Sequence, residues 1–192
     1  DGALYFTVGG RGTQSELFRV IYTGDEPTSP VDAKNAEGKE LRELRRQLES
    51  LHASGPNDGK ALDLIFKNLG HEDRHIRYAA RVALEHRDPA TWQDKVLGMD
   101  DASARINGAI AVARQAEPTL QTKVLDALQD LAYDKLSKNQ QLELLRAYSL
   151  AFVRMGEPNE EVAARIAQLL EPHFPADDDD LNRELCRVLV YL

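Results

Sequence analysis

Apolar side chains recur at helical spacing along most of the chain, and the clearest example lies in residues 71–86. Five apolar residues there are separated by steps of 3, 1, 3 and 1, which places them on one face of an α-helix. They are Ile76, Ala79, Ala80, Ala83 and Leu84. Asp73 is a candidate cap at the start of this helix, and Asp88-Pro89 is expected to follow its end.

The same spacing predicts eight further helices. They fall within residues 34–54, 62–69, 92–97, 106–113, 124–132, 142–152, 162–170 and 181–192. In the helix after Pro118, Leu131 and Ala132 continue the apolar stripe, so this helix is predicted to reach residue 132. Cys186 lies among apolar residues of the last helix and is expected to be buried.

Residues 1–24 have a different pattern, since β-forming residues cluster at 4–8 and 18–22 around the sequence GGRGTQS. Glycine can adopt the positive φ that a tight turn needs, so a β-hairpin is predicted. The segment 25–33 contains Pro27 and Pro30 and is expected to be a linker.

Pairs of an acidic residue and proline separate the later helices at regular distances. Asp88-Pro89, Glu117-Pro118 and Glu157-Pro158 lie 29 and 40 residues apart, and each proline is expected at the first position of a helix. A degenerate period of this size with two helices per unit indicates an α-solenoid. We therefore predict an all-α fold with a short N-terminal β-hairpin.

The predicted organisation has three parts: the hairpin at 1–24, a linker and amphipathic helix at 25–56, and repeats over 57–192. The repeats are expected at 57–88, 89–117, 118–157 and 158–192.

The second helices of these units resemble HEAT repeats, in which an acidic residue precedes an aliphatic-arginine pair and alanines. Asp73-x-x-Ile76-Arg77-x-x-Ala80 follows this pattern, Asp101-x-x-Ala104-Arg105 follows it less closely, and the stretches around Arg146 and Arg183 are weaker matches. The resemblance implies HEAT-like helical hairpins with a structural ladder between repeats, in which each arginine pairs with an acid of a neighbouring repeat. Its members would be Asp73, Arg77, Asp101, Arg105, Arg146 and Arg183.

The first 24 residues resemble a closing segment of the β-propeller in large planctomycete-type membrane-bound dehydrogenases. These proteins combine a sorbosone or glucose dehydrogenase-like propeller, HEAT repeats and often a c-type haem domain. The resemblance implies that this chain is a fragment of a longer exported protein, in a periplasmic or extracytoplasmic setting. No C-x-x-C-H occurs, because Cys186 is the one cysteine, so no haem attachment is expected here.

Composition and charge restrict the partners. The apolar fraction is 42% and the charged fraction 29%, which is typical of a folded globular protein. The net charge is −8, and residues 157–180 alone contribute −7 from eight acids and Arg165. This balance argues against nucleic acid as a partner of the C-terminal region.

Three clusters could bind a ligand, and each has a simpler interpretation. His71, Glu72, Asp73 and His75 contain metal-ligand types, but they also suit a turn that caps a helix. The run 177–180 could bind calcium or cap the last helix. The run 9–13 resembles a phosphate loop, yet it lacks the Lys-Ser/Thr ending and favours a hairpin turn.

Arginines lie along one side of the helix at 71–86, where two hypotheses remain. Arg74, Arg77 and Arg81 form either a basic stripe for a phosphate or an acidic partner, or part of the ladder between repeats. No spacing supports a pair of nucleophile and base, so no catalytic residue is predicted.

We expect a non-catalytic scaffold that binds a protein or neighbouring domains of the same chain. No cofactor, metal, small-molecule ligand, nucleic acid or membrane contact is expected. One alternative is an accessory region of an exported dehydrogenase-like oxidoreductase whose catalytic parts lie elsewhere, and a second is a nucleic-acid-binding HEAT-like domain.

Overall fold

The computed structural model describes residues 3–27, 38–53 and 59–192. The chain divides into two compact units, Asp1–Lys39 and Glu40–Leu192. The predicted linker falls largely outside the described residues, as do the predicted helix start at 34–37 and the predicted break at Gly55-Pro56.

The first unit contains the predicted β-hairpin. Strand β1, Leu4–Gly10, pairs antiparallel with β2, Thr13–Val20. Leu4 lies opposite Val20, and the register shifts between Val8 and Gly10, so that Gly10 lies opposite Thr13. Only Arg11 and Gly12 remain for the turn, which is tighter than the sequence predicted. Gly12 has φ of 85°, a conformation that side chains with a Cβ rarely adopt.

The second unit is helical, as predicted, and its described part contains nine α-helices. They are α1 Lys39–Glu49, α2 Gly59–Asn68, α3 Arg74–Glu85, α4 Gln93–Leu97, α5 Ala102–Gln115, α6 Gln121–Gln129, α7 Lys138–Met155, α8 Glu160–Leu170 and α9 Asp179–Tyr191. Short 3₁₀ turns precede α4, α6 and α7 and follow α8.

Polar side chains cap the starts of five helices, because the first backbone N–H groups of a helix have no partner within it. Each accepts a hydrogen bond from the first turn. They are Asp73, Asp101, Ser137, Asn159 and Asp178. The run 177–180 therefore contributes a helix cap through Asp178, in agreement with the simpler interpretation of that sequence.

The helices of the second unit pack in a regular order. α3, α5, α7 and α9 each contact the next one, while α2, α4, α6 and α8 each contact a helix of that row. The predicted apolar stripe of α3 is confirmed, since all five of its residues are buried. Trp92 and Tyr148 are the largest fully buried side chains of the core that these helices share.

Three local predictions are wrong. Helix α6 ends at Gln129, because the chain turns at Asp130; Leu131 remains buried although it lies outside the helix. Pro158 precedes α8 rather than starting it. Asn159 caps this helix, and asparagine is among the preferred residues at that position. Cys186 is exposed, because Leu185 and Val188 are the residues of α9 that face the core.

Among residues 3–27, 38–53 and 59–192, no helix has both the length and the apolar character that crossing a membrane requires.

Candidate functional site: an arginine-lined groove

A groove lies across helices α3, α5 and α7, towards the N-terminal end of each. It consists of two depressions, of about 570 and 330 Å³, that share four lining residues. These are Arg74, Arg77, Glu143 and Arg146. We call this surface the arginine groove; Glu72 lines its larger depression and Arg81 its smaller one.

Arg77 is held from both sides of the groove. Its Nη1 donates to the carbonyl oxygens of His71 at 2.8 Å and Glu72 at 3.0 Å. Its Nη2 donates to Oε1 of Glu143 at 2.8 Å, which ties α3 to α7. With 14% of its side chain exposed, Arg77 has a fixed position and its charge is neutralised by Glu143.

The candidate metal cluster next to Arg77 forms a capping turn. Asp73 Oδ1 accepts hydrogen bonds from the backbone N–H groups of His75 at 2.7 Å and Ile76 at 3.2 Å. These bonds, chiefly the one from His75, lower the pKa of Asp73. The Asp73 N–H donates to Nδ1 of His71. No group of three or more His, Cys, Asp or Glu side chains in the described part of the chain is arranged to hold a metal ion.

The second copy of the motif has the same local structure at the start of α5. Asp101 accepts from the N–H of Ala104 at 2.7 Å, and Arg105 Nε donates to the carbonyl oxygen of Met99 at 2.6 Å. Met99 precedes Arg105 by six residues, as His71 precedes Arg77. In both copies the acid caps the helix and the arginine fastens the loop before it.

The six residues predicted to form a ladder thus have varied partners. Arg183 pairs within α9, with Asp180 at 2.6 Å, and Arg146 has no hydrogen bond or ion pair to the described residues. Within the described chain, no side chain of the six is paired with the side chain of another of the six. Arg77 joins two helices, but through Glu143, which the motif does not include.

Arg74 and Arg146 differ from the other arginines of the groove. Both are exposed, and neither has a hydrogen bond or an ion pair to the described residues. Arg81, in contrast, pairs with Glu85, and Glu85 also accepts from Arg114 of α5 at 2.8 Å. The free positive charge of the groove therefore comes from Arg74 and Arg146.

Four ion pairs that sequence reasoning missed connect α3 to α5, α4 to α6, α6 to α8, and α7 to the cap of α9. Their partners lie 29, 29, 39 and 40 residues apart. These distances match the 29 and 40 residues between successive acid-proline pairs, which is the signal that could have found them. The pairs are Glu85–Arg114, Asp94–Lys123, Asp126–Arg165 and Lys138–Asp178.

Comparison with protein-family models, with curated proteins and with solved structures gives no match to this chain.

Proposed function

We propose that residues 57–192 form an α-solenoid of HEAT-like helical hairpins that serves as a non-catalytic scaffold for a protein partner. The observation that carries the proposal is the set of ion pairs at repeat spacing between neighbouring helices. Exposed pairs of this kind add little stability. Their value here is that they mark equivalent positions in successive units, as expected when each unit contacts its neighbours.

The packing order supports the same architecture. The row α3, α5, α7, α9 and the helices α2, α4, α6 and α8 correspond to second and first helices of consecutive hairpins. In such an arrangement the second helices present one continuous surface to a partner. The arginine groove lies on that row, between α3 and α7, and two of its arginines have no ion pair to the described residues.

Site-specific photo-crosslinking tests this proposal. A benzophenone side chain would replace Asn139, an exposed residue of the groove, and a control would replace Gln168, an exposed residue of α8. In cells that produce the chain, we expect a crosslinked protein from position 139 and little from position 168. Equal crosslinking at both positions, or none at position 139, would contradict a scaffold that binds through this groove.

A further inference from the structure

We propose that the arginine groove binds an acidic peptide segment, and that Arg74 and Arg146 contact its carboxylates. This inference rests on the proposed function, because it names the chemistry of the partner that the groove would take.

Two arginines of the groove are available to a ligand. Arg74, at the start of α3, and Arg146, in α7, both line both depressions of the groove. A guanidinium group binds a carboxylate through two parallel hydrogen bonds, which makes arginine the side chain best suited to this ligand. Because Arg74 and Arg146 have no partner among the described residues, binding a carboxylate breaks no ion pair within that part of the chain.

The other two arginines of the groove already have partners. Arg77 is fixed by two carbonyl oxygens and by Glu143, and Arg81 is fixed by Glu85. A ligand would have to displace a carboxylate that is already in place to reach either one. Binding through Arg77 or Arg81 would therefore gain little, and the affinity should depend on Arg74 and Arg146.

The small extent of the positive charge favours a short peptide over a nucleic acid. The charged lining of the two depressions consists of four arginines and two glutamates, a charge of +2. Since the whole chain carries −8, the remaining residues carry −10. A long polyanion such as DNA would extend beyond the groove onto residues that carry no surplus of positive charge, whereas a short acidic segment would not. The groove volumes of about 570 and 330 Å³ suit such a short ligand.

The test is fluorescence anisotropy with a fluorescein-labelled hexaglutamate peptide as the probe, at low ionic strength. A hexaglutamine peptide and a single-stranded DNA heptamer serve as comparison ligands. The test variant is Arg74→Gln/Arg146→Gln. The matched control is Arg46→Gln/Lys135→Gln, which removes the same charge from exposed positions outside the groove that also have no side-chain partner among the described residues. Circular dichroism verifies that both variants are folded.

We expect hexaglutamate to bind and hexaglutamine not to bind, with an affinity that falls at least about tenfold in the test variant and much less in the control. Absence of hexaglutamate binding, or an equal loss in both variants, would overturn the inference. DNA binding of equal strength and equal dependence on Arg74 and Arg146 would also overturn it, in favour of a nucleic-acid ligand.

The two proposals can fail separately. If position 139 crosslinks to a protein while hexaglutamate does not bind, the acidic peptide is wrong and the scaffold remains. If position 139 yields no crosslinked protein, the scaffold itself is contradicted.

Discussion

The starts of α3 and α5 carry the same motif 28 residues apart and fold in the same way, yet only one of them supplies free charge to the groove. Asp73 and Asp101 each cap a helix, and Arg77 and Arg105 each bond a carbonyl six residues earlier. The position after the cap differs, being Arg74 in α3 and Ala102 in α5.

This difference separates two roles of arginine within one groove. The arginine of the motif fastens a loop, and in α3 it also reaches Glu143. The arginines that remain free for a ligand, Arg74 and Arg146, hold none of these bonds. The motif shared by α3 and α5 thus indicates arginines that build the fold, while binding residues have to be sought among those without a partner in the described chain.

The largest effect is expected from Arg77→Ala. This change removes bonds to two carbonyls and leaves the partly buried Glu143 without its cation, so the free energy of unfolding should fall by about 2–3 kcal/mol. Arg105→Ala removes one hydrogen bond, to the carbonyl oxygen of Met99, and should cost about 1 kcal/mol. Urea denaturation measures both; equal losses would mean that Glu143 adds nothing to the role of Arg77.

A smaller effect is expected from Gly108→Ala, at a core position where α5 differs from α3. Gly108 of α5 occupies the position of Ala80 in α3, and a Cβ there would lie 2.5 Å from Cβ of Val96. Gly108→Ala should gain about 1 kcal/mol of helix propensity but lose about 2–3 kcal/mol to overpacking, for a net loss of about 1–2 kcal/mol. Thermal unfolding of this variant measures it. Val96→Gly removes the clashing Cβ, so adding Gly108→Ala to Val96→Gly should cost much less stability than Gly108→Ala costs in the wild type.

The helix cap of α3 should give a still smaller effect that depends on pH. At neutral pH, Asp73→Ala should cost about 1 kcal/mol, and Asp73→Asn should cost less because asparagine also caps. The pKa of Asp73 is lowered below 3.8 in the folded chain. Its charge therefore stabilises the fold above pH 3.8, and this contribution is lost as the pH falls through the lower folded pKa.

Denaturation at pH 7 and at pH values below 3.8 measures this dependence for the wild type and Asp73→Asn. The advantage of the wild type should shrink on acidification. An advantage that grows at low pH would contradict the assigned role of the carboxylate.

Sequence spacing could predict the helices because each one buries a stripe that its own residues define, as Ile76 and Leu84 do in α3. It misplaced the end of α6 because Leu131 continues the apolar spacing after the helix has stopped and is still buried. It predicted a buried Cys186 because the neighbouring residues of α9 are apolar. Leu185 and Val188 face the core, and Cys186 lies on an exposed side of the same helix.

The groove could be predicted only in part. The stripe Arg74, Arg77 and Arg81 was visible in the sequence, and so were its two interpretations. Glu85 lies four residues after Arg81 on the same helix, so this pair could be predicted from spacing. Glu143 lies 66 residues from Arg77 and reaches it only after α7 packs near α3, so the sequence did not show that Arg77 is neutralised. Arg146 joins the groove through the packing of α7 beside α5, which local sequence does not encode.

The distinction between structural and free arginines is tested most directly by urea denaturation of Arg74→Gln/Arg146→Gln beside the wild type. Because neither side chain has a partner in the described chain, the free energy of unfolding should change by less than about 0.5 kcal/mol. A loss of more than about 1 kcal/mol would show that Arg74 and Arg146 hold the helices together, and would contradict their assignment to ligand binding.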